Sequence, residues 1–367
     1  MATLILTCDT GEGHNSCAKA IKEVYDAKGV SCEIVNPVRF VAEWFAKFVH
    51  WVHTTMYQKF PKVFTHGYTF SQNHSSLTTA KGSFPYWVLS FGAKKLHQYI
   101  LQHEIDRIIC VHPLLMMMVS EQQRIYGLNC PVAYVSTDYT CCPGVSDSHP
   151  DICFIPDVSV AKEFVCDNIG YTQLAASGIP VRQQFYKSTG KVAAKTQFDI
   201  PEDAPNLLLM CGSMGCGPME EMLDTLAQEK NFHITVVCGN NQALQKRLAA
   251  KYGTYDQVHI WGFVQNISML MDSADLFVTK PGGLSSTEAA VKCLPAVYLN
   301  AVGGCENYNL EYFVQRNGAV AAKDTQDAVK LCRELLLDES RLEGMRTALQ
   351  NLHLPNAAQI IYEVMNK

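Results

Sequence analysis

No stretch of the 367-residue sequence holds the roughly 18 consecutive apolar residues that a membrane-crossing helix needs, so none is expected. The most apolar stretch, Ile108 to Val119, is interrupted by His112-Pro113. The opening segment Met1–Asp9 has no basic residue and runs at once into a Gly-rich turn, which argues against a signal peptide. Positive charge is in no excess: 30 Lys and Arg face 35 Asp and Glu, for a net charge of −5, which argues against nucleic-acid binding. There are 15 cysteines but no Cys-x-x-Cys pair, and Cys141-Cys142 are adjacent rather than at ligand spacing. A disulfide framework or zinc site is therefore not expected, a reducing cytoplasm fits best, and most of these cysteines read as small buried hydrophobes. No Asp-x-Asp pair offers a metal-bridged nucleotide site, and the turn Gly11-Glu12-Gly13-His14 lacks the full Gly-x-Gly-x-x-Gly spacing of a dinucleotide site.

With 48% hydrophobic residues, the chain has apolar material for two cores. Thr3–Cys8 reads as a buried strand, followed by a Gly-rich turn and a helix from about Ser16 to a stop at Gly29. Cys32–Val35 completes a βαβ unit, and further strands are expected at Arg107–Val111, Pro131–Val135 and Ile152–Ile155. This first domain spans 1–185, and the polar, unperiodic segment 186–205 reads as a linker. A second alternation over 206–350 places strands at Asn206–Cys211, His233–Cys238, Val258–Trp261, Leu276–Thr279 and Ala296–Leu299. A helix in 351–367 is expected to pack back on the first domain. Strand–helix alternation in both halves implies two parallel sheets covered on both faces. Ligands then bind beyond the carboxyl ends of the strands, in a cleft between the domains.

The insertion 36–103 differs from its surroundings. It holds 15 of the chain's 36 aromatic residues, including Trp44, Phe45, Phe48, Trp51, Phe64, Phe84, Trp87 and Phe91, and seven Lys or Arg against one acid, Glu43. Such a segment suits the interface of an anionic membrane, aromatics in the headgroup layer and cations on lipid phosphates. The same pattern also describes helices packing on a sheet with core aromatics.

Three Gly-rich turns follow strands and carry the candidate chemistry. At Gly11-Glu12-Gly13-His14, the glycines admit a ligand to the backbone and His14 is a candidate general base; a histidine that only orients the turn is the plainer reading. At Lys280-Pro281-Gly282-Gly283-Leu284-Ser285-Ser286-Thr287-Glu288, the opening N–H groups of a helix can hold a diphosphate, and Glu288 can accept two ribose hydroxyls or simply cap the helix. The third, Cys211-Gly212-Ser213-Met214-Gly215, follows the first strand of the second domain.

In order and spacing, Asp9–His14, His112-Pro113-Leu114, Thr137-Asp138-Tyr139, Ser177–Val181, Gly262-Phe263-Val264 and Thr279–Glu288, continuing to Glu306 and Asn309, resemble the monogalactosyl- and glucosyl-diacylglycerol synthases, relatives of the enzyme that makes lipid II. The resemblance spans nearly the whole chain. It implies an α/β GT-B fold, two doubly wound Rossmann-like domains facing a cleft. It implies an inverting transfer of a hexose from UDP-glucose or UDP-galactose to diacylglycerol, with no metal or other cofactor, at the inner face of a membrane. Carried over by position, His14 is the base, with Asp138 beside it. Gly11, Glu12, Gly13, His112 and Tyr139 line the acceptor, and Phe263 and Val264 contact uracil. Helix N-termini at Ser213 and Gly283 meet the diphosphate, with Gly212, Met214, Gly282, Leu284, Ser285 and Ser286 beside them. Glu288 takes the ribose, Cys305 and Glu306 read the sugar, and Asn309 also belongs to the donor site. The family usually has Gln where Cys305 stands and Gly where Glu12 stands. A soluble or polyprenyl-linked acceptor, or a UDP-sugar epimerase or hydrolase, remains the competing expectation.

Overall fold

A computed structural model of the chain describes residues 2–9, 12–60, 63, 66–67, 70–71, 74, 78–79, 81–215, 217–299 and 303–367. Gly11 and Phe64 lie outside these residues. The chain forms two compact units, one of Met1–Gln183, Val302–Tyr308 and Pro355–Lys367, the other of Gln184–Ala301 and Asn309–Leu354.

In the first unit, β1 (Ala2–Leu6), β2 (Ser31–Val35), β3 (Ile105–Cys110), β4 (Val132–Val135), β5 (Ile152–Ile155) and β6 (Leu174–Ala176) form a parallel sheet in the order β2-β1-β3-β4-β5-β6. Leu4, Ile5 and Leu6 are all fully buried, because helices cover both faces and leave no polar alternation. Helix α1 (Glu12–Ala27) buries Cys17, Ile21 and Val24, a one-face spacing, and the C-terminal helix Ala357–Met365 packs against it. Asn366 Nδ2 donates to Tyr25 Oη at 3.1 Å, fastening the chain end there. The helix begins at Glu12 rather than near Ser16, so the first Gly-rich turn is shorter than the sequence suggests and Glu12 stands at the positive end of the helix.

The insertion contributes α2 (Val38–Val41), α3 (Glu43–Lys59), α4 (Phe84–Ser90) and α5 (Ala93–Gln102), followed after β3 by α6 (Pro113–Tyr126). Tyr86 of α4 is held to α6 by its hydroxyl, which donates to Glu121 Oε2 at 2.9 Å. Arg124 grips the same carboxylate from Nε (2.9 Å) and a terminal nitrogen (2.7 Å).

The second unit repeats the plan with β7 (Asn206–Met210), β8 (His233–Val237), β9 (Val258–Trp261), β10 (Leu276–Thr279), β11 (Ala296–Tyr298) and β12 (Ala319–Ala321), parallel and ordered β12-β11-β10-β7-β8-β9. The edge strands β6 and β12 are three residues each and only partly buried, so they leave no continuous apolar run in the sequence. The segment 186–205, read as a linker, contains the helix Lys191–Gln197 and buries Ala194, Phe198 and Ile200. Lys195 donates to the carbonyls of Glu202 and Ala204, both at 2.7 Å, and Lys191 pairs with Asp275. Polar residues hide this packing from a periodicity search, because their stems and ammonium groups do the anchoring.

The hydrogen bonds of Arg124 hold the Glu121 carboxyl below its ordinary pKa, over the opposing effect of burial. A depressed carboxylate contributes stability that is present above its unfolded pKa and lost as pH falls through the folded one. Glu121→Ala also strands the Tyr86 hydroxyl, so it is expected to cost ~1–3 kcal/mol at neutral pH and to flatten the acid limb of thermal stability. An unchanged melting temperature at pH 7 would deny the network that role.

Candidate active site

Each doubly wound sheet has one place where the strand order reverses, and there the loops after two neighbouring strands part to leave a crevice. In the first unit that place lies between β1 and β3. His14, in the first turn of α1, reaches from the β1 side to the residue just after β3: its Nδ1 lies 2.7 Å from the Val111 carbonyl oxygen. A carbonyl only accepts, so Nδ1 carries the proton and Nε2 keeps its lone pair. Thr137 Oγ1, after β4, stands 3.3 Å from the same Nδ1 and donates to Asp138 Oδ2 at 3.2 Å. Burial lowers the His14 pKa below its ordinary value, opposed by the Asp138 charge and then by the Val111 carbonyl. The outcome is a neutral imidazole with a fixed tautomer, the form a general base needs.

The other first-unit candidates divide. The His112 ring lies 4.4 Å from that of His14, tilted by 57°. Its Nδ1 accepts from Leu114 N at 3.2 Å, so His112 caps α6 and packs against the base. Tyr139 is 1% exposed, a core residue beneath the loop. Glu12 is exposed, and a Cβ added at Gly13 would meet nothing within 4 Å. Asp138 and Cys305 come together with Cys142, their ligand atoms within 4.8 Å of one another, and Glu306 follows Cys305 at the start of the helix Cys305–Gln315. Thr137 and Cys142 were given no role in the sequence; Thr137 had a signal in its adjacency to Asp138, Cys142 had none.

In the second unit the order reverses between β7 and β10, and the two Gly-rich turns follow those strands. The helix after β7 opens at Met219, not at Ser213, so Gly212–Gly215 is a tight turn rather than a helix N-terminus. This turn is locked to the one after β8: Asn240 N donates to Ser213 O at 2.8 Å. The approach requires glycine at Gly239, where φ is +57° and an added Cβ would sit 2.2 Å from Ser213 O. After β10, Gly282 precedes the helix Gly283–Val291 with no side-chain cap on its first N–H groups, which leaves them to an anion. Leu284 and Ser285 are half-buried there, while Ser286 and Glu288 are buried. Asn309 is fully buried and donates Nδ2–H to the Pro281 carbonyl at 3.0 Å, so it holds the turn from behind. Phe263, just past β9, is 63% exposed, a flat apolar face beside the half-buried Val264.

The aromatic insertion puts its rings outward. Trp44, Phe48 and Trp51 recur at one-face spacing on α3, and Phe84, Trp87 and Phe91 do so along and just past α4; all six are exposed, Trp44 by 70% and Phe84 by 72%. The opposite face of α3 goes to the core through Ala46 and Val49. Exposure thus separates these six from the core aromatics that the sequence pattern also allowed. Asp9 ties the insertion to the β1–α1 turn. Its carboxylate accepts from Asn36 Nδ2 (2.8 Å) and Arg39 (3.3 Å), and its carbonyl accepts from His50 of α3. Among the described residues, no helix is long and apolar enough to cross a membrane.

Residues 14–181 match the family model described as monogalactosyldiacylglycerol (MGDG) synthase, and residues 221–351 match glycosyl transferases group 1. Over 99% of its length the chain is 26% identical to a processive diacylglycerol beta-glucosyltransferase of Bacillus mycoides, covering 92% of that protein. It superposes on Acinetobacter baumannii MurG with a TM-score of 0.64 at 12% identity, covering 100% of this chain and 99% of the other. A UDP-GlcNAc 2-epimerase from Neisseria meningitidis, bound to UDP-GlcNAc, gives 0.64 at 12% identity, covering 99% and 98%. These structural likenesses speak for the fold alone. With the family models and the full-length relative they make the chain a glycosyltransferase of GT-B fold, and the resemblance read from its motifs holds.

The burial of His14 has a spectroscopic consequence. In an NMR pH titration its imidazole should remain neutral, with the proton on Nδ1, to a pH below the ordinary histidine value. Titration at or above that value would mean the ring is not buried in solution, since burial is what lowers it while the Val111 carbonyl and Asp138 act the other way.

Proposed function

We propose that this glycosyltransferase moves a hexose from UDP-glucose or UDP-galactose to the hydroxyl of diacylglycerol, inverting the anomeric configuration, while seated on the anionic inner face of a membrane. The observation that carries this reading is the pair of exposed aromatic stripes, Trp44-Phe48-Trp51 and Phe84-Trp87-Phe91, on the unit that also holds His14. Aromatic rings with lysines nearby, such as Lys47, Lys81, Lys94 and Lys95, suit a headgroup layer and a lipid acceptor. The full-length likeness to a diacylglycerol glucosyltransferase supports the same acceptor.

In this reading His14 Nε2 takes the proton of the acceptor hydroxyl as its oxygen attacks the anomeric carbon. The bond from that carbon to the UDP oxygen breaks, and UDP leaves with the electron pair. The Val111 carbonyl holds Nδ1–H throughout, and the Asp138 charge favours the imidazolium that forms. The second unit meets the donor. N–H groups of Gly283, Leu284 and Ser285 and the Gly212-Ser213-Met214 turn face the diphosphate, whose departing charge they stabilise without a catalytic metal. Phe263 and Val264 receive uracil and Glu288 the ribose, with Asn309 bracing the turn. Cys305, which converges on Asp138, and Glu306 beside it in the chain read the sugar.

The direct test is purified protein with a panel of UDP-sugars and diacylglycerol in anionic vesicles. Hexosyl-diacylglycerol of configuration opposite to the donor's is expected. Transfer only to soluble or polyprenyl-linked acceptors, or conversion of the UDP-sugar without transfer, would sink the lipid reading. His14→Ala is expected to lower kcat by roughly 10²–10⁴-fold with UDP affinity unchanged by calorimetry. Full turnover in that variant would hand the base role to another group. Because both rings are exposed, Trp44→Ser/Trp51→Ser should fold normally yet lose vesicle binding, which in the wild type should weaken as salt shortens the Debye length below about 8–10 Å. Binding that persists in a folded double variant would place the membrane contact elsewhere.

A further inference from the structure

Asp138 and Cys142 sit in the loop after β4, and Cys305 opens the helix Cys305–Gln315. Among the described residues these three form the one group of at least three His, Cys, Asp or Glu side chains whose ligand atoms converge, all within 4.8 Å. We propose that Asp138, Cys142 and Cys305 bind a thiophilic divalent cation of the zinc class.

The donor set suits such an ion: two sulfurs and one carboxylate oxygen, with the fourth tetrahedral position left for a water molecule. Around a tetrahedral zinc, bonds of about 2.3 Å to sulfur and 2.0 Å to oxygen put ligand atoms about 3.5–3.8 Å apart. Cys142 Sγ already lies 3.9 Å from Asp138 Oδ2, and with every ligand atom within 4.8 Å of the others, closing on an ion needs side-chain shifts of about 1 Å at most. Local charge favours a cation as well. The carboxylates of Asp138 and Glu306 both bring negative charge to Cys305. A dication at the centre of this cluster reverses that field and releases the two thiol protons to solvent, with no change of oxidation state. Backbone geometry holds the third ligand in place. Gly303 and Gly304, at φ +80° and +65°, make the left-handed approach to Cys305 that a residue with a side chain would resist.

The ion would occupy Asp138 Oδ2, the oxygen that now accepts from Thr137 beside His14. Zinc is therefore expected to slow glycosyl transfer, a consequence that rests on the role proposed for Asp138, whereas binding itself does not.

The test uses the reduced full-length protein freed of metal, titrated with Co2+ alone. About one equivalent should develop thiolate-to-cobalt charge-transfer absorption, and Zn2+ should displace it. Cys142→Ser/Cys305→Ser should abolish that absorption, and Asp138→Asn should keep it but weaken affinity at least about tenfold. If the double variant does not fold, Cys305→Ser alone should shift the spectrum to single-thiolate ligation. No uptake, or equal uptake by wild type and the serine variants, overturns the site. Binding with undiminished turnover under saturating Zn2+ leaves the site standing and removes Asp138 from the reaction.

Discussion

The hydrogen bond between His14 Nδ1 and the Val111 carbonyl exists because β1 and β3 are neighbours although about a hundred residues part them in sequence. Parallel strands buried on both faces need crossover connections, and every crossover returns the chain to the same edge. That edge gathers the loops after β1, β3 and β4, and with them His14, His112, Thr137 and Asp138. The tautomer of the base, its packing against His112 and its coupling to Asp138 all follow from this adjacency. A change that lengthened the β1–α1 turn would disturb each of them together.

The two units use the same architecture with different chemistry. The first presents side chains at its strand-order reversal, a histidine whose proton position is set by a backbone carbonyl. The second presents backbone, a glycine-dependent turn locked by Asn240 and a helix whose first N–H groups have no side-chain cap. Backbone donors suit a leaving diphosphate because their orientation costs nothing further when charge appears. A side chain suits proton transfer because its pKa can be tuned by burial. Asn309 shows how little of the second arrangement is surface: it never meets solvent, yet without its bond to Pro281 the turn before Gly283 loses its brace.

Asp9 gives the insertion its place. One carboxylate and one carbonyl gather Asn36, Arg39 and His50, so α2 and α3 are anchored to the turn that leads into the base. The outward aromatics of α3 and α4 are therefore carried on a rigid base rather than on a free arm, and Tyr86 fastens α4 to α6 from the other side. Exposed rings of this number cost solubility, and a fold that keeps them must have a use for them at a surface.

Much of this was legible in the residues. Apolar runs marked ten of the strands, because a strand buried on both faces writes a continuous signal, while β6 and β12 are short edge strands only partly buried and write none. His14, Asp138 and the Lys280–Glu288 turn stood out because each follows a strand directly. The aromatic and basic excess of the insertion was visible as composition, but whether its rings face the core or solvent was not, since one-face spacing leaves the identity of the face open. Tertiary structure decided that Tyr139 is core, that His112 is a cap, and that the helix after β7 starts too late to place its N-terminus at Ser213. It also decided the most distant pairing, Cys305 with Cys142 and Asp138. Sequence records spacing along one chain, and those three residues are neighbours only because a loop after β4 and the segment Val302–Tyr308 far downstream belong to the same unit.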